Sequence, residues 1–172
     1  MLRVSGIASL AALALLGAGS AALARPEKVT VVRLYGETEV AAPPAAVWGY
    51  LTTGKNIVTW CPQWKNMKNA AVNITKVGDV LTYTDEWGNG GRSIVTYLAK
   101  GKELRVAHEP NKGDYMCQAK LVLAPTAKGT TVRYWDQYTD ESPPQDQEAT
   151  AGKMEAEIAS TLATLKKGVE KK

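Results

Sequence analysis

Between Asn69 and Thr139 the chain is a succession of short runs rich in Val, Thr, Leu and Tyr, punctuated by Gly- and Pro-containing turns. Beyond Ser142 the period changes. Ala151, Met154, Ile158, Leu162, Leu165 and Val169 recur at spacings of three and four residues and trace one apolar face of a long helix. This juxtaposition leaves few folds open. A helix with one apolar face must bury it, and the sheet is the one large partner the chain supplies.

Six strands are predicted in the turn-rich half: Ala70–Val77, Val80–Trp87, Ser93–Ala99, Glu103–Glu109, Asp114–Ala124 and Thr130–Thr139. Gly78-Asp79, Gly88–Gly91, Lys100-Gly101-Lys102, Pro110–Gly113 and Ala127-Lys128-Gly129 connect them. Loops this short favour an antiparallel meander. Upstream, Glu27–Val40 reads as a long first strand. Pro43 and Pro44 open a short helix carrying Val47, Trp48 and Leu51, which Gly54 closes. A second short helical piece runs from Asn56 to Trp64, limited by Pro62. Ser142-Pro-Pro-Gln145 supplies a hydroxyl cap, first-turn prolines and a capping-box Gln for the long helix.

Residues 1–24 stand apart. Arg3, the apolar run Val4–Leu16 and the ending Ala22-Leu23-Ala24 are the parts of a cleavable secretory signal. Gly17, Gly19 and Ser20 weaken the rival reading, a retained membrane anchor. The expectation is cleavage after Ala24, a single domain over 25–172, and a secreted or periplasmic protein with no stable membrane insertion. The apolar fraction of 45% is inflated by this segment. A net charge of +4 with interspersed signs argues against a nucleic-acid surface.

The element order resembles the helix-grip fold of the START / Bet v 1-like (SRPBCC) superfamily, with its polyketide cyclase/dehydrase and lipid-transport members. Glu37-Thr-Glu-Val-Ala-Ala-Pro-Pro-Ala-Ala-Val-Trp48 is similar to the family's first strand and following helix. Asn56–Trp60 with Cys61-Pro62, Gly78-Asp79 and Gly129-Thr130-Thr131-Val132 fall where the family has matching stretches. The resemblance spans roughly residues 30–170. It implies an α+β fold: a curved antiparallel sheet of about seven strands around a long C-terminal helix, with two short helices after the first strand. It also implies a cavity between sheet and helix for an apolar molecule.

The expected function is therefore binding or transport of a hydrophobic or amphipathic small molecule. A cyclase/dehydrase-like enzyme in the same cavity and an envelope protein-interaction module are the alternatives, and the carrier is preferred over the catalyst. The candidate ligand-binding residues are Trp60, Trp64, Tyr83, Trp87, Tyr97, His108 and Tyr134. Rings with polar tips combine apolar area with a hydrogen-bonding handle, and the chain has five Trp, seven Tyr and no Phe. His108, the single histidine, is the weak catalytic candidate, set against an ordinary half-exposed strand histidine. Asp85, Glu86 and Asp136 read as solvated strand residues. Neither a metal-ligand spacing nor a cofactor motif is present. Cys61 and Cys117 are read either as a disulfide, contributing about 4 kcal/mol by closing a long loop, or as two buried thiols.

Overall fold

The computed structural model describes residues 30–61, 72–84, 90–111, 117–140 and 143–171. Strand β1 (Thr30–Val40) is followed by helices α1 (Pro44–Thr52) and α2 (Gly54–Trp60). Strands β2 (Val80–Thr84), β3 (Gly90–Ala99), β4 (Glu103–Pro110), β5 (Cys117–Thr126) and β6 (Gly129–Asp140) then lead into helix α3 (Pro144–Glu170). The sheet is antiparallel, in the order β1-β6-β5-β4-β3-β2. The meander is as expected, and the first strand returns to pair with the last.

Burial alternates along the strands, as a sheet covered on one face requires. Val132, Tyr134, Asp136 and Tyr138 of β6 face inward, as do Ala119, Leu121 and Leu123 of β5 and Leu104, Val106 and His108 of β4. The predicted apolar stripe of α3 is also realised: Ile158, Leu162, Leu165 and Val169 are buried, and Ala151 and Met154 pack against the core.

α3 approaches the sheet most closely along β1. Gly36 makes this possible, since a Cβ there would lie 2.6 Å from Ile158 Cγ2 and 3.0 Å from Leu162 Cδ1. A second glycine, Gly168, lies against the ring of Tyr50, whose hydroxyl is 2.9 Å from Thr59 Oγ1. The two glycines thus set the middle of α3 against β1 and its C-terminal end against α1.

Three expectations are corrected. No strand forms over residues 72–79, so the sheet has six strands among the described residues rather than about seven. The chain is held here by other partners: Ile74 is buried and its N–H donates to Thr52 O at 2.8 Å. Asp79 Oδ2 accepts from the N–H groups of Thr75 (2.6 Å) and Lys76 (3.0 Å), which folds 75–79 into a turn. The expected positions 70–71 lie outside the described residues. Second, Gly90 and Gly91 are strand residues of β3, not hairpin turn. Third, the residue capping α3 is Pro143, and it makes no side-chain cap bond; Ser142 lies outside the described residues.

Candidate functional site

Register brings the inward polar residues together. Ser93 of β3 lies opposite His108 of β4, His108 opposite Cys117 of β5, and Cys117 opposite Tyr138 of β6. Asp136, two residues before Tyr138, is on the same face. All five are buried, Ser93 at 0% and Asp136 at 2% exposure. A polar row thus crosses the inward face toward one end of β3–β6.

The row is bonded pairwise. Ser93 Oγ and His108 Nδ1 are 2.7 Å apart, and the Cys117 thiol donates to Asp136 Oδ1 at 2.8 Å. Tyr83 of β2 adds its ring edge-on to the imidazole, with centroids 6.3 Å apart. Tyr83 reaches this position because its cross-strand partner is Gly91, where a Cβ would be 2.5 Å from the phenol ring. The Tyr138 hydroxyl is buried and has no hydrogen-bond partner among the described residues.

Burial sets the electrostatics. It pulls the pKa of His108 down to about 4, so the imidazole is neutral at physiological pH. It raises the carboxyl of Asp136, against the opposing pull of the Cys117 thiol and the Gln137 N–H. It also raises the Cys117 thiol, with the Asp136 charge adding to the effect, so this cysteine is a poor nucleophile. Burial, then the charge of Asp136, keeps Tyr134 protonated.

Four of the seven predicted ligand-binding residues, Trp60, Tyr83, His108 and Tyr134, are buried in the core region. His108 is therefore not the half-exposed strand residue weighed as its ordinary reading. Trp64 and Trp87 lie outside the described residues, as do Asp85 and Glu86. Tyr97 is on the opposite, convex face and is 43% exposed. The cause is a β-bulge between Val95 and Tyr97, which advances the strand by one residue and turns Tyr97 outward beneath Arg105, 4.8 Å from its ring. On that outer face it shares a ladder with Lys120, Trp135 and Tyr35; Lys120 Nζ lies 4.1 Å from the Trp135 centroid. Asp136 was expected on a solvated face and is instead buried. Its parity with Val132 and Tyr134 was the signal for this, and the same parity marks Tyr138. Cys61 and Cys117 are both buried and are not joined by a disulfide in this structure.

A separate open groove of about 500 Å³ runs between the free edge of β1 and α3, past Tyr35, Glu37, Ile158 and Lys166. Of the predicted ligand-binding residues that are described, none lines it. Among the described residues, no cluster of His, Cys, Asp and Glu is arranged to hold a metal ion, and no helix is long and apolar enough to cross a membrane.

The sequence profile of a family described as polyketide cyclase / dehydrase and lipid transport matches residues 31–170. The chain belongs to this family. The match spans β1 to the last turn of α3, so the polyketide cyclase / dehydrase and lipid-transport family accounts for the whole described domain. A search of curated proteins finds no match. Solved structures agree on the fold. A Staphylococcus aureus protein of unknown function superposes with a TM-score of 0.68 at 12% identity, covering 84% of this chain and 96% of its own. A Chromobacterium violaceum protein gives 0.60 at 17% identity, with 81% and 97% covered. The Aha1 dimer from Colwellia psychrerythraea gives 0.60 at 21%, with 81% and 96% covered. At these identities the likeness concerns fold alone.

Proposed function

We propose that this family member holds a hydrophobic or amphipathic small molecule between the concave face of β2–β6 and α3. The observation that carries the reading is the buried polar row, Ser93 to Tyr138, set in an apolar face and including a hydroxyl with no partner among the described residues. Buried polar groups in proteins are nearly always satisfied, so one left open facing the interior suits a ligand's polar end. The seating of α3 agrees, because its tightest approach is at Gly36 on the β1 edge rather than over β3 and β4.

Trp60, Tyr83, His108 and Tyr134 supply the walls in this reading, and the family's lipid-transport description fits a carrier. A proton-moving role for His108 is less well supported. An imidazole with a pKa of about 4 is a weak base, whereas general bases work best with pKa values near the operating pH. We further propose that residues 1–24 are removed and that the protein acts outside the cytoplasm; a mature chain beginning at Arg25, read by N-terminal sequencing, is the expected product.

The binding reading is tested by titration with the neutral apolar dye Nile red. Saturable fluorescence enhancement at one site per chain is the expected result. Enhancement that rises linearly without saturation, or none, rejects it.

A further inference from the structure

We infer that β1 is the seat of a homodimer, in which the first strands of two chains pair antiparallel about a two-fold axis at Tyr35 and join two sheets into one. The inference is independent of what the interior holds.

Among the described residues β1 is an end strand, paired on one side with β6. End strands usually carry a device against further pairing: they are short, bulged, broken by proline, or turn a charge inward. β2, at the other end of the described sheet, is five residues long. β1 is eleven residues long and has none of these devices. It keeps register with β6 from Thr30 to Val40 without a shift, contains no proline, and carries no charge on its inward face. α3 leaves the edge accessible. The open groove of about 500 Å³ runs between them along residues 35–38, and Ala159 and Ala163 on its helix side are too small to crowd an added strand.

The outer face of β1 decides the occupant. Val31, Arg33, Tyr35, Glu37 and Glu39 are exposed there, Val31 and Tyr35 at 50% each. The charges are opposite in sign on the two sides of Tyr35, with Arg33 before it and Glu37 after it. Antiparallel pairing centred on Tyr35 therefore sets Arg33 against the partner's Glu37 and Glu37 against the partner's Arg33, with the two Tyr35 rings side by side between them. Parallel pairing would instead stack Arg33 on Arg33, Glu37 on Glu37 and Glu39 on Glu39, and like charges across strands repel.

Both members of the pair have capacity for it. Within the chain, Arg33 Nε donates to the amide oxygen of Gln137 at 3.1 Å, and Arg33 enters no ion pair among the described residues. The Tyr35 hydroxyl and Arg133 both meet Glu37 at Oε2, which leaves Oε1 to accept from the other chain. Because the two-fold pair occupies the β1 edge of both chains, assembly closes at two copies instead of growing into a fibre.

Sedimentation equilibrium at low salt, on the wild type, Arg33→Glu and the double variant Arg33→Glu/Glu37→Arg, tests this. The wild type should rise from the mass of one chain to that of two as concentration increases. In Arg33→Glu the dimer Kd should rise at least about tenfold, because two attractions become two repulsions. The double variant exchanges the signs and should return Kd to within about threefold of the wild type. The mass of one chain at every concentration up to about 1 mM overturns the inference. So does a dimer that Arg33→Glu leaves unchanged, or one whose loss the exchanged pair does not recover. A different polypeptide bound in place of the second copy assigns the edge to a foreign strand and overturns it too. None of these outcomes bears on ligand binding, which the dye titration tests by itself.

Discussion

At the residue scale, two side chains make opposite demands on pH. His108 has its pKa lowered from 6.5 to about 4 by burial, so the unfolded chain takes up its proton more readily than the folded one. Its contribution to stability is complete above pH 6.5 and is lost as pH falls toward 4, by about 3 kcal/mol. Asp136 has its carboxyl raised by burial and works the other way, weakening the fold as pH rises past the ordinary carboxylate range. Comparison with His108→Gln isolates the histidine. Between pH 7 and pH 4 the wild type should lose about 3 kcal/mol more than the variant in urea unfolding, and parallel curves would refute the assignment. Tyr138→Phe, in the ligand-free protein, should leave stability unchanged or raise it by up to about 1 kcal/mol, since it removes a buried hydroxyl without a partner among the described residues. A loss above that size would show that the hydroxyl is satisfied. These residues differ in how legible they were. Tyr83, His108 and Tyr134 stand out in sequence as strand rings with polar tips, and all three are buried. Asp136 reads as a solvated strand residue and Tyr138 is not among the candidates, although period-two parity with Val132 marks both as buried. Tyr97 reads as a candidate ligand-binding residue but lies on the outer face, because a bulge is a tertiary accommodation with no local marker here.

Elements were easier to read than contacts. The apolar stripe of α3, the hairpin turns at Gly101 and Gly129, and the two short helices follow from periodicity, Gly and Pro, which act locally. The run 70–77 misled because its Val and Ile content suits a strand, while the partners that claim it, Thr52 and Asp79, are chosen by tertiary structure. Gly36 is the clearest case of an element property hidden in one residue. In sequence it is a strand glycine, which ordinarily weakens a strand; in the fold it admits α3. Gly36→Ala is expected to cost about 1–3 kcal/mol through overpacking against Ile158. Ile158→Ala in the same chain should recover part of that loss, giving a coupling above 0.5 kcal/mol in a double-mutant cycle, as expected for residues in direct contact. Additive losses would mean that α3 shifts freely and does not define the width of the interior.

For the whole molecule, the family match over residues 31–170 and the superposed structures establish the architecture, while the row from Ser93 to Tyr138 argues for what the architecture encloses. The buried rings with polar tips, Trp60, Tyr83, Tyr134 and Tyr138, fit an interior built to be shared with a guest. The central claim is that an apolar molecule occupies this interior. Native mass spectrometry of the protein purified without detergent tests it most directly. The account predicts a discrete mass above that of the chain, lost on extraction with organic solvent and regained on adding decan-1-ol at one molecule per chain. The mass of the bare chain alone, unchanged after exposure to decan-1-ol, would contradict it.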